Sequence, residues 1–215
     1  MTKQQILHFN GGCLQQKEDT DAFSFQQGAF TVEAWIKPTE AKGNVNIIGN
    51  LNPSTRGGFL VGLNENHLTF KVNLYNKIRL LEATSCPLNL NQWSHIAVCR
   101  SSSDFGFSIL INGQEKANRS FSTDLTEEES KLISEQLDNT ELWDNPFKSI
   151  KKKFENIEHK VEHKFGFYSH KPAKLTFGAA PWNLSSLVFK GYISEVRIWN
   201  RRLSNDEICD KKTIV

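Results

Sequence analysis

FKGYISEVRIWNRRLSNDEI, residues 189–208, carries the alternation that decides the fold. From Tyr192 to Trp199, Val196 and Ile198 fall on one side of an extended chain and Glu195, Arg197 and Trp199 on the other, which is the two-residue period of a strand. Glu195 and Arg197 are therefore same-face neighbours, placed to pair across a solvated face. Ser204 then supplies an N-cap and Glu207 the third helical position, so the strand hands over to a short terminal helix.

The same period recurs in the first half of the chain. In Phe30 to Lys37, the residues Phe30, Val32, Ala34 and Ile36 point one way while Thr31, Glu33 and Lys37 point the other, which predicts a half-buried strand. Phe59, Val61 and Leu63 alternate, Asn64-Glu65-Asn66 makes a turn, and Leu68, Phe70, Val72 and Leu74 resume the pattern as a hairpin. Asn112-Gly113 predicts a second hairpin, because a type I′ turn needs positive φ at both central residues. Ile96 to Cys99 is apolar on both faces, as in a covered central strand, and Trp93 ahead of it is suited to packing over a sandwich edge. About ten to twelve short strands at this spacing predict an antiparallel sandwich.

A chain of 215 residues, 38% hydrophobic and 23% charged, fits one large all-β domain. A formal charge of +2 is far from the basic footprint of a nucleic-acid binder, so nucleic acid is not an expected partner. The first ten residues contain no apolar leader core, and no run of eighteen apolar residues occurs, so a soluble chain, cytoplasmic by default, is expected. Cys13, Cys86, Cys99 and Cys209 form no CxxC pair and read as reduced or buried thiols. Were the chain exported, Cys13 with Cys209 and Cys86 with Cys99 are the pairings to test.

Residues 123–172 break the two-residue period and read as a helical insertion. Thr126 and Glu129 form a capping box before a helix bearing Leu132, Ile133 and Leu137. Asn145 and Pro146 open a second helix striped by Phe147, Ile150, Phe154, Ile157, Val161 and Phe165. Residues 123–145 hold eight acids and one lysine, net −7, while residues 146–172 hold seven lysines and three acids, net +4. The halves are expected to neutralise each other as a hairpin packed on the sandwich. The alternative is a docking surface for a protein. The acidic neighbour argues against membrane contact through the basic helix.

Residues 30–38 (FTVEAWIKP), 91–100 (NQWSHIAVCR), 107–113 (FSILING) with 175–182 (LTFGAAPW), and the closing 189–208 together resemble the laminin-G-like jelly-roll family of concanavalin-A-like lectins and glucanases. The resemblance spans nearly the whole chain outside 123–172, and implies a single domain, 1–215, interrupted by that insertion. It implies a ligand-binding module for glycans or proteins, in a family that is often extracellular and often holds structural calcium. Where the family commonly has Phe-Asp-Gly in its first strand and an aspartate before the closing glutamate, this chain has Phe9-Asn10-Gly11 and Ser194-Glu195. Both departures remove a carboxylate, so Asn10 and Glu195 are left as contacts for at most a weak calcium site.

Family glucanases carry catalytic carboxylates together on one strand, and Glu33 stands alone on its strand, so an enzyme is not expected. His159, Glu162 and His163 fit the spacing of an inverted zinc hydrolase. Helical period puts both histidines opposite the apolar stripe, where a solvated helix face or an incidental surface metal accounts for them. No Walker loop or GxGxxG is present. Asn118-Arg119-Ser120 and Asn183-Leu184-Ser185 fit the N-glycosylation pattern, which bears only on a secreted chain. The ligand-binding candidates are Trp182 and Asn183 in a loop, Trp143 and Asp144 between the two helices, and Asn64, Asn66 and His67 at a turn: aromatics to stack on a sugar and sparse polar groups to orient it. For each tryptophan, packing is the competing account.

Overall fold

Period-two alternation becomes two stacked antiparallel sheets in the computed structural model, which describes residues 5–18, 23, 28–40, 42–54, 57–74, 77–101, 106–120 and 172–209. The described elements are β1 (Ile6–Asn10), β2 (Leu14–Gln15), β3 (Phe30–Pro38), β4 (Asn44–Gly49), β5 (Phe59–Asn64), β6 (His67–Leu74), β7 (Lys77–Glu82), β8 (Ser94–Arg100), β9 (Gly106–Ile111), β10 (Gln114–Ser120), β11 (Thr176–Phe177), β12 (Lys190–Trp199) and the short helix α1 (Asn205–Cys209). Sheet A has the order β1-β12-β3-β8-β9-β10 and sheet B the order β2-β11-β4-β5-β6-β7. This is the concanavalin-A-like sandwich. The insertion expected at 123–172, with its helices, lies outside the described residues apart from Pro172.

Sheet A contributes Val32, Ala34 and Ile36 of β3, Ile96 and Val98 of β8, and Phe107 and Ile109 of β9 to the core. Sheet B answers with Phe59, Val61 and Leu63 of β5 and Leu68, Phe70 and Val72 of β6. Phe30 meets Phe59 at 5.4 Å and Phe70 at 5.9 Å between ring centroids, joining the two layers through inclined aromatic contacts. Each such side chain, fully buried, contributes roughly 1.5–3 kcal/mol. The Asn112-Gly113 hairpin forms as expected, with φ of 50° and 69°, and Asn112 Oδ1 accepts a hydrogen bond from the His95 amide at 2.9 Å.

β3 departs from the half-buried strand expected of it. Thr31 and Glu33 are wholly buried and Trp35 nearly so, although all three point away from the core. Nonlocal cover is the reason. β3 lies between β12 and β8, and the chain after β12 folds back over sheet A's outer face. There Leu203 and Ile208 pack with Ala97, Cys99 and Leu110 as a second, smaller core, with Trp199 against it. Thr31 Oγ1 donates to the Arg201 carbonyl at 3.0 Å and accepts from the Leu203 amide at 2.9 Å, which fastens this segment to the sheet. The capping box forms in both directions: Glu207 N–H donates to Ser204 Oγ at 3.2 Å and Ser204 N–H to Glu207 Oε2 at 2.9 Å. Cys13, Cys86 and Cys99 are free thiols, so the Cys86–Cys99 pairing is not made; Cys99 is buried, and that burial pushes its thiol pKa up.

Candidate functional site

The turn between β5 and β6 and the loop after β11 converge on one end of sheet B. Register sets Asn44, Asn64 and His67 side by side across β4, β5 and β6. Since Leu63 and Leu68 enter the core, these three point outward. Glu65 adopts φ 52° at the turn, its amide donating to the Gly43 carbonyl at 2.7 Å, and the Leu88 amide donates to the Asn66 carbonyl at 2.8 Å. Asn64, Asn66 and His67 are half-buried, and Asn64 Nδ2 donates to Glu82 Oε1 at 3.1 Å.

Gly178 launches the second loop. Its φ of +80° and the Phe9 ring, 2.5 Å from where a Cβ would stand, admit only glycine. From there the chain follows β4: the Gly178 amide donates to the Ile47 carbonyl, the Asn46 amide to the Leu187 carbonyl, and the buried Asn46 side-chain amide to the Ala179 carbonyl. Asn183 Oδ1 accepts from Ser185 N at 3.1 Å and Ser185 Oγ at 2.8 Å, closing the loop on itself. Trp182 is thereby held 46% exposed on a braced loop, beside the strand whose Asn44 adjoins Asn64. The Asn183 carboxamide oxygen is thus engaged within the loop. Trp143, Asp144, His159, Glu162 and His163 lie outside the described residues.

Asn10 and Glu195 do not meet. In the β1–β12 ladder Asn10 is opposite Lys190 while Ile6, at the far end, is opposite Ser194. Glu195 sits in a bulge with φ 48°, and its Oε2 accepts from Arg197 Nη2 at 2.8 Å. A calcium ion shared by these two residues does not fit this arrangement. The expected Glu195–Arg197 pair is present, but on a half-buried face rather than a solvated one.

Sequence reading also left Glu33 alone, whereas the fold surrounds it. Trp199 Nε1 donates to Glu33 Oε1 at 3.1 Å, Arg197 Nη1 lies 3.7 Å from the same oxygen, and His95 Nε2 lies 3.5 Å from Oε2. Register was the missing signal: β12 sets Arg197 against Glu33, and β8 sets His95 against Trp35, the next outward residue on β3. Glu33 and His95 are closed to solvent, so no polysaccharide reaches the carboxylate.

The laminin-G-type family model described as concanavalin A-like lectin/glucanases superfamily matches residues 10–148. No curated protein matches the chain in sequence. Among similar solved structures is the CBM40 of the Ruminococcus gnavus IT-sialidase, 12% identical over 97% of this chain and 96% of that one, with a TM-score of 0.60. That module has also been solved with alpha2,3 sialyllactose bound. A candidate carbohydrate-binding protein of Bacteroides ovatus is 15% identical at a TM-score of 0.56, over 94% of this chain but only 45% of that one. The binding domain of Botulinum neurotoxin DC, solved with rat synaptotagmin II, is 13% identical at a TM-score of 0.53, over 93% of this chain and 39% of that one. At such identities the shared property is the sandwich. With the family model matching most of its length, the chain belongs to the concanavalin A-like lectin/glucanases superfamily.

Proposed function

We propose that the chain is a non-catalytic, lectin-like module that binds a glycan at the end of sheet B, with Trp182 as the stacking surface and Asn64, Asn66 and His67 as polar contacts. The observation that carries this reading is the braced exposure of Trp182. A large ring 46% open to solvent on a loop tied to β4 loses little conformational freedom on binding. Amide and imidazole groups nearby supply the sparse directional contacts such sites use. A neighbour of the same fold solved with a bound sialyllactose, and another described as a candidate carbohydrate-binding protein, support the reading by analogy of fold. Against catalysis stands Glu33, since glycoside hydrolysis needs two carboxylates reaching the scissile bond and this one is shut away.

A glycan array probed with the wild type and with Trp182→Ala, in calcium and in EDTA, tests the proposal. Expected is a glycan bound equally in both buffers and about tenfold or more weaker with the variant. Failure of the wild type to bind any glycan overturns the lectin reading.

A further inference from the structure

On the outer face of sheet A, register aligns His8, Tyr192 and Lys37 in one row across β1, β12 and β3. His8 stacks on Tyr192 with ring centroids 4.5 Å apart and planes 14° from parallel. Lys37 Nζ lies 5.6 Å from the centroid of the same ring, and Trp93 stands 6.3 Å from it, inclined by 53°. His8 is exposed and the other three are half-buried.

What distinguishes the row is unused donor capacity. Among the described residues, no carboxylate pairs with Lys37, and no hydrogen bond engages the His8 ring, the Tyr192 hydroxyl or the Trp93 indole. Glu40, a nearby acid, is taken by Lys190 at 2.6 Å and Lys42 at 3.7 Å. One position along β3 on the same face, Trp35 is 8% exposed and its indole N–H has no partner. An ammonium held against an aromatic ring, with unpaired N–H and O–H donors in the same cluster, is chemically suited to receive an anion. Mutual stacking fixes its side chains, which lowers the entropy lost on binding.

We propose that this row is a second binding platform, taking an acidic polysaccharide whose carboxylate or sulfate oxygens are received by Lys37 and the donors beside it. The choice of a carbohydrate rests on the lectin reading; the anionic chemistry rests on the row itself. The row lies on sheet A and the lectin candidates on sheet B and the loop after β11, so Lys37→Gln and Trp182→Ala read the two sites apart.

Binding to immobilised hyaluronan, which offers carboxylates, and heparin, which offers sulfates, tests it with the wild type, Lys37→Gln, Lys37→Arg and Lys116→Gln. Lys116 lies on β10 at the opposite edge of sheet A, and its loss changes net charge equally. Expected is salt-sensitive binding to one of the two polymers, reduced about tenfold by Lys37→Gln, restored in large part by Lys37→Arg, and within about twofold of wild type for Lys116→Gln. The polymer retained identifies the anion. Three results overturn the platform: no binding to either polymer at low salt, equal losses for Lys37→Gln and Lys116→Gln, or equal competition by polyglutamate. Neutral glycans assayed alongside report on the sheet B site, whose loss or survival is read independently.

Discussion

The stretch of sheet A's outer face around Thr31 and Glu33 and the open end of sheet B are built from the same alternation and meet opposite fates. On sheet A the chain's own return covers Thr31, Glu33, Ala97 and Cys99, with Leu203 and Ile208 filling the space above them. On sheet B no helix is laid over Asn64 and His67 among the described residues, and the neighbouring loop presents a tryptophan to solvent. About Glu33 on the first face, Trp199 donates to the carboxylate, and Arg197 and His95 stand within 3.7 Å of it. On the second, Asn64 donates to Glu82, while Asn66 and His67 stay half-open to solvent. In this fold, outward polarity alone does not mark a binding surface; the path of the chain beyond the strand decides.

The sharpest way to break this contrast is to remove the cover. Ile208 is fully buried, and Ile208→Ala is expected to destabilise the domain by about 2–5 kcal/mol through lost transfer free energy and the cavity left behind. Trp182→Ala on the open end is expected to stay within about 0.5 kcal/mol of wild type. Urea denaturation of both proteins checks the pair. Equal losses would show that the loop carries stability as α1 does, and would return Trp182 to a packing role.

A smaller effect is expected inside the covered face. Trp199→Phe keeps most of the ring but deletes the N–H that reaches Glu33, leaving a wholly buried carboxylate oxygen with one donor fewer. The expected cost is about 1–3 kcal/mol. Glu33→Gln in the Trp199→Phe background should then cost less than Glu33→Gln alone, the coupling a double-mutant cycle measures. Additive losses would mean that the indole and the carboxylate do not act together.

Much of this was legible before the structure. The alternation of Phe30 to Ile36, the doubly apolar run at Ile96 to Cys99, the Asn112-Gly113 turn and the Ser204–Glu207 cap are local signals, and each appears where local chemistry puts it. What escaped was nonlocal. Burial of Thr31 and Glu33 depends on residues about 170 positions later in the chain, as the 172-residue separation of the Leu203–Thr31 bond shows. The Glu195–Arg197 pair follows from their spacing, yet it forms across a bulge that also turns Arg197 toward Glu33. Trp182 and the Asn64–His67 turn were visible as separate loops; only the β11–β4–β5 strand order brings them to one end. That the Asn183 oxygen braces its own loop through Ser185 cannot be told from the residue type.

The gentlest perturbation is acid, and it tests how the covered region is anchored. On the covered side, the Glu207 carboxyl is held down at about 2, from an ordinary 4.5, by the Arg201 guanidinium and then the Ser204 amide. A folded-state value below the unfolded one means that the unfolded chain takes up the proton first as pH falls. The cap's contribution is therefore complete above about 4.5 and is lost progressively as the pH approaches about 2. Glu40, in the loop after β3, is also lowered, first through its hydrogen bond with Lys190 of β12, so its contribution has the same sign. Both groups are solvent-exposed, so the effects should be small and weakened by salt. Hydrogen exchange at the Ile208 amide, which donates to the Ser204 carbonyl, isolates the helix cap from Glu40. Its protection should fall across that pH window in the wild type and be already reduced and nearly pH-independent in Glu207→Gln. If the variant keeps the wild-type profile, the acid sensitivity of the covered face arises elsewhere than at α1.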